Sequence, residues 1–195
     1  MKEVNDLNLF SVVYDIERPW NKEWSERVKN QHKLSEKERR ELMRRREWDR
    51  TIGRFVDSLS KIGWRINWSV FLIPERHYET AKRIVETYRS KFADLGVRND
   101  IYILRYHPDS NDILLSKLRM HMKMKIDKLV KKFKESEDTS EKKSIRDQID
   151  MILEIAKSFG IDRDIIQYVS KVVKSQGISG MISMQKSLED ILLSR

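Results

Sequence analysis

No cysteine occurs in the 195 residues, which excludes disulfides, thiolate catalysis and every cysteine-containing zinc site. The four histidines, His32, His77, His107 and His121, show no paired metal spacing, so no zinc is expected. No apolar run approaches the roughly 18 residues of a membrane-spanning helix. The opening Met1-Lys2-Glu3-Val4-Asn5-Asp6 also lacks the apolar core of a secretion signal. These absences predict a cytoplasmic protein with no membrane partner. Only three prolines and six glycines punctuate the chain, so their positions carry information.

Charge, by contrast, is abundant. Forty Lys or Arg stand against 31 Asp or Glu, a net charge of +9, and the pI near 9.6 favours an anionic partner, nucleic acid before a membrane surface. Five Trp, six Tyr and six Phe within a 39% hydrophobic fraction supply a core despite the mean hydropathy of -0.66. The basic excess is local. Residues 113–134 hold eight Lys or Arg against Asp127 alone, whereas residues 135–195 are net acidic.

Residues 9–16 are β-branched, aromatic and nearly continuous in apolarity, which predicts a buried strand with Asp15 near its end. The polar stretch from Glu17 to Lys33, with Pro19, Trp20 and Trp24, reads as a loop. Ser35 and Glu38 form a capping-box signature. Trp48, Ile52, Phe55, Leu59 and Ile62 then trace an amphipathic helix ending at Gly63. Residues 64–73 alternate as one strand, with Trp64, Ile66, Trp68, Val70 and Leu72 on one face. A helix through Ala81, Val85, Tyr88 and Phe92 closes at Gly96, and Asp100–Tyr106 supply a third strand. Beyond Asn111 the pattern is helical: Leu115, Leu118, Met122, Ile126, Leu129 and Phe133 form one stripe, and Ile145, Ile149, Ile152, Ala156 and Phe159 a second. A third runs through Ile165, Ile166, Val169, Val172 and Val173, and a last surrounds Ile182, Leu188, Ile191 and Leu192.

The combination Val12-Val13-Tyr14-Asp15-Ile16, a basic helix ending in Gly63, and Ile66-Asn67-Trp68-Ser69-Val70-Phe71 resembles the small CRISPR-associated adaptation subunit, the second of the two universal Cas proteins. In that family a first strand ending Tyr-Asp precedes an Arg-rich helix and a strand reading roughly Val-Gln-x-Ser-Val-Phe. Arg54 falls where the family usually carries a basic residue, and Ile101–Tyr106 resembles its closing strand. The virulence-associated protein D family shares this layout. The resemblance covers about half of the chain; Asn67 replaces the usual Gln, and residues 111–195 have no counterpart. It implies a ferredoxin-like sheet packed with helices over residues 1–110, with an insertion at about 17–43; together with the all-α extension that the periodicity predicts over 111–195, the chain is expected to be an α+β protein. The resemblance further implies a homodimer in which the Asp15 side chains of two protomers meet across a cleft able to hold Mg²⁺ or Mn²⁺. The associated roles are metal-dependent cleavage of RNA or DNA, or a non-catalytic grip on duplex DNA.

Asp15 is thus the candidate catalytic and metal-binding residue, since an acid ending a buried strand is costly unless paired or bound to a cation. Its plainer reading is a strand-end Asp that caps the next loop or pairs with an Arg. Ser69 is a second catalytic candidate as polar lining of the same cleft, or an ordinary strand serine; no His or Lys is placed to activate it. Arg44, Arg45, Arg46, Arg50 and Arg54 offer phosphate contacts, unless they pair with Glu36, Glu38, Glu41 and Glu47 along the helix. Lys117, Arg119, Lys123, Lys125, Lys128, Lys131 and Lys132 give the stronger nucleic-acid signal, unless the acidic helices that follow neutralise them. Trp20 and Trp24 are candidates for base stacking, Trp48 reads as core, and Met120, Met122 and Met124 as gap fillers in a helix interface. The alternative to a nuclease is an adaptor that cuts nothing, dimerises, and uses its C-terminal helices to hold nucleic acid or a protein partner.

Overall fold

The computed structural model describes residues 8–18, 34–107 and 110–176. The loop read between Glu17 and Lys33, with Trp20 and Trp24, lies largely outside the described residues, as does the helix expected around Ile182. The chain divides into two compact units, one spanning Leu9–Tyr106 and one holding the helices from His107 onward.

In the first unit, β1 (Leu9–Ile16) leads to α1 (Glu36–Ser60), β2 (Trp64–Asn67) and β3 (Val70–Pro74). A 3₁₀ turn (Glu75–His77), α2 (Tyr78–Asp94) and β4 (Asn99–Arg105) follow. The strands form one antiparallel sheet in the order β2-β3-β1-β4. Val12 and Tyr14 of β1, Phe71 and Ile73 of β3 and Ile101 of β4 share the core with Trp48, Phe55 and Leu59 of α1 and Ala81, Val85, Tyr88 and Phe92 of α2. Both helices therefore cover the same face. Phe55 is fully buried at the centre, its ring 5.3 Å from that of Tyr14 and 5.2 Å from that of Tyr88.

The capping box forms as its spacing requires: Ser35 Oγ accepts from the Glu38 N–H, and Glu38 Oε2 accepts from the Ser35 N–H at 2.8 Å. Trp48, Thr51, Phe55 and Leu59 are the buried stripe of α1. Residues 36–43 are the first two turns of this helix. α2 ends at Gly96, whose φ of +62° lies in the left-handed region that a Cβ disfavours.

One expectation is overturned. Residues 64–73 are not a single strand but a hairpin, and the sheet has four strands rather than three. Trp68 and Ser69 form the turn, and Asn67 Oδ1 accepts from the Ser69 N–H at 2.9 Å, closing it with a side chain instead of Gly or Pro. Trp64 and Leu72 are cross-strand partners and Val70 follows two residues from Leu72, so these three still share a face, whereas Ile66 falls at a register irregularity and Trp68 leaves the face in the turn.

The second unit packs α3 (Asn111–Glu135), α4 (Thr139–Ser158) and α5 (Asp162–Gln176) pairwise. Their three predicted apolar stripes are the buried ones. Asp138 caps α4, its Oδ1 accepting from the Ser140 N–H at 2.8 Å.

Candidate nucleic-acid interface

Antiparallel register sets Asp15 directly opposite Asp100 at the end of β1. Like charges so placed repel. Arg98 lies 3.4 Å from Asp100 Oδ2, and the Tyr102 hydroxyl is 3.4 Å from its Oδ1. Asp15 is exposed, and its side chain makes no hydrogen bond or ion pair among the described residues. The burial argument for a cation at Asp15 is therefore corrected: water already solvates this carboxylate. The plainer reading, a cap or an Arg pair, has no support among the described residues either.

Ser69 sits in the hairpin turn rather than on a strand face, and its carbonyl accepts from the Tyr14 N–H at 2.9 Å. Asp15 and Ser69 thus share one end of the sheet. β3 finishes at the opposite end, where Pro74 pairs with Leu9, so His77 stands far from Asp15. Burial lowers the His77 pKa, with the Arg76 charge adding to it.

Sequence reasoning missed the hairpin tip. Trp68 is 83% exposed, the most exposed large hydrophobic side chain among the described residues. Arg65 Nη2 donates to the Trp68 carbonyl at 2.7 Å, and Arg65 Nε to that of Asn67 at 3.1 Å. The guanidinium carbon lies 5.1 Å from the Trp68 ring centroid. Burial raises the Tyr14 pKa, an effect that the neighbouring Arg65 opposes. The legible signal was Asn67 before an aromatic-serine pair, a turn chemistry hidden in a β-rich run.

The arginines of α1 have different fates. Arg44 donates to the Leu95 and Gly96 carbonyls and so caps the end of α2. Arg50 meets Glu47 at 3.5 Å, an exposed pair of little energetic weight. Arg45 is half-buried, and Arg46 is exposed without a side-chain partner among the described residues. Arg54 lines a cleft of about 260 Å³ with Glu47, Thr51, Tyr88, Lys91 and Asp94, where cationic and acidic groups alternate.

On α3, two basic groups turn towards α5: Arg119 Nε lies 2.8 Å from Asp164 Oδ2, and Lys123 Nζ lies 5.2 Å from the Tyr168 ring centroid. Asp127, the one acid of the stretch, accepts from the Tyr168 hydroxyl at 2.7 and 2.8 Å. Burial and that carboxylate push the Tyr168 pKa up to about 12. Lys131 meets Glu135 of its own helix, at 3.8 Å. Lys125, Lys128 and Lys132 are exposed, as is Lys117. Lys117, Lys128 and Lys132 have no ion pair among the described residues. Met122 fills the core as expected, but Met120 and Met124 are half-exposed on the basic side.

Mg²⁺ and Mn²⁺ take oxygen ligands, typically one or two carboxylates plus water. Asp15 and Asp100 are donors of that type, yet Arg98 engages Asp100. Among the described residues no three His, Cys, Asp or Glu side chains converge. At this end of the sheet Asp15 and Glu17 are exposed carboxylates without a side-chain partner among the described residues, donors of the right type for a hard cation but fewer than a complete site uses. Comparison with protein-family models, curated proteins and solved structures finds no match for this chain.

Proposed function

We propose that the chain is a nucleic-acid-binding protein that holds backbone phosphates against the outer face of α3. The observation that carries this reading is the exposed set Lys117, Lys128 and Lys132, without an ion pair among the described residues. The acidic helices that follow take up Arg119 but leave these three ammonium groups in water. Lysines act as point charges, so binding is salt-sensitive and weak in sequence preference.

Within this reading, residues 9–106 are a ferredoxin-like unit related to the CRISPR-associated adaptation subunit and the virulence-associated protein D family. The β-α-β-β-α-β order and the strand arrangement β2-β3-β1-β4 support that relation. A homodimer would bring two Asp15 side chains together, and a divalent metal held there would polarise a scissile phosphate. Cleavage by this route needs a second copy to complete the metal site, whereas phosphate binding at α3 does not, and this favours binding without cleavage over the nuclease.

Gel-shift titrations with single- and double-stranded DNA and RNA at low salt test the binding reading. A shift with at least one of them is expected; none with any would leave the adaptor that uses its helices for a protein partner. A denaturing-gel time course in Mn²⁺ or EDTA, with Asp15→Asn beside wild type, separates the two binding readings. Metal-dependent cutting by wild type alone would make it a nuclease.

A further inference from the structure

We infer that the β2–β3 hairpin tip is a stacking platform for an unpaired nucleobase, with Trp68 as the ring and Arg65 as the anion contact beside it. The inference rests on the nucleic-acid reading and narrows the substrate at this tip to single strands.

The tip is built for presentation. Its carbonyls are held from two strands: Trp68 O accepts from the Tyr14 hydroxyl and from Arg65, and Ser69 O accepts from the Tyr14 N–H. Asn67 Oδ1 closes the turn from within. An 83% exposed indole on such a fixed backbone binds a flat partner with little ordering cost.

Arg65 supplies the second half of the match. Its Nε and Nη2 groups are committed to Asn67, Trp68 and Tyr14, while Nη1 makes no hydrogen bond among the described residues. Two N–H donors thus remain beside the ring for an anionic oxygen. An apolar protein surface would cover the indole and leave those donors unmet. A nucleotide meets both, offering a π face to Trp68 and a phosphate oxygen to the guanidinium. In a duplex the base faces are already stacked on one another, so the unpaired strand is the fitting ligand.

The test is fluorescence anisotropy with end-labelled oligothymidylate and oligouridylate of about 15 nucleotides and a mixed-sequence duplex, in EDTA. The proteins are wild type, Trp68→Ala and Trp68→Phe, each checked for an unchanged melting curve. Trp68→Ala is expected to weaken single-strand binding by about 5- to 150-fold, with Trp68→Phe near wild type and duplex binding unchanged. Wild type that binds nucleic acid, with Trp68→Ala equal to it on single strands, overturns the platform and leaves the wider reading standing. Equal losses on single strand and duplex also overturn it. If Trp68→Ala instead abolishes self-association in sedimentation without touching affinity, the tip is a contact between copies and the inference fails. Wild type that binds none of the probes defeats both readings.

Discussion

The Tyr14 hydroxyl of β1 donates to the Trp68 carbonyl at the hairpin tip, 2.5 Å away, and accepts in turn from Arg65 Nη2 at 3.2 Å. This one phenol ties the central strand to the turn of the neighbouring hairpin. Its ring meanwhile packs against Phe55 in the core. Tyr14→Phe keeps that packing and leaves the Trp68 carbonyl with Arg65 alone. Urea denaturation is expected to show a loss of about 1–2 kcal/mol with an unchanged slope. A variant as stable as wild type would show that the hydroxyl does not hold the turn.

Gly63 precedes β2, beside Leu72 and Ile73 of β3. A Cβ built there would lie 2.5 Å from the Leu72 carbonyl oxygen and 2.4 Å from Ile73 Cδ1. The isoleucine methyl can move; the backbone oxygen in the sheet cannot. Gly63→Ala is therefore expected to cost about 1–3 kcal/mol, whereas Gly53→Ala, where nothing lies within 4 Å, should be neutral or slightly stabilising. Paired thermal melts of the two variants check the contrast.

Arg44 was a candidate phosphate contact, but its donors serve the end of α2. Arg44→Ala is expected to lower unfolding free energy by about 1 kcal/mol and to leave nucleic-acid affinity within twofold of wild type. A large affinity loss at unchanged stability would return Arg44 to the binding surface.

Tyr168 gives the helical unit a pH dependence. Its folded pKa, about 12, lies above the ordinary tyrosine value of 10.0, so the folded state keeps the proton where the unfolded chain releases it. The stabilisation is complete below pH 10 and is lost as pH rises from there through 12. Wild type is therefore expected to lose stability across that window more steeply than Tyr168→Phe, which has no proton to lose. Melting temperatures taken at successive pH values from neutrality upward provide the comparison, and parallel curves would contradict a Tyr168 pKa raised by burial and by the Asp127 carboxylate.

The helices of the second unit were legible because their apolar residues recur at three- and four-residue spacing over long stretches, from Leu115 to Phe133 and from Ile145 to Phe159. The start of α1 was legible for a local reason, the Ser35–Glu38 box. The hairpin was not. Trp64 to Ile73 contains no Gly or Pro, and its turn is held by the Asn67 side chain and by Tyr14 and Arg65, contacts that alternation does not reveal. Solvation at the site was equally hidden, since Asp15 ends an apolar strand in sequence yet faces water. On α3 the charges could be counted, but only packing shows that Arg119 and Lys123 turn to α5 while Lys117, Lys128 and Lys132 do not.

The most direct measurement is the salt dependence of nucleic-acid binding by wild type and by the triple variant Lys117→Gln, Lys128→Gln, Lys132→Gln. Titrations at about 50 to 200 mM salt should give log K falling linearly with log salt concentration, and the triple variant should bind more weakly with a slope shallower by about 2–3. Binding that ignores salt, or identical slopes for the two proteins, would contradict the account that the outer face of α3 holds phosphates.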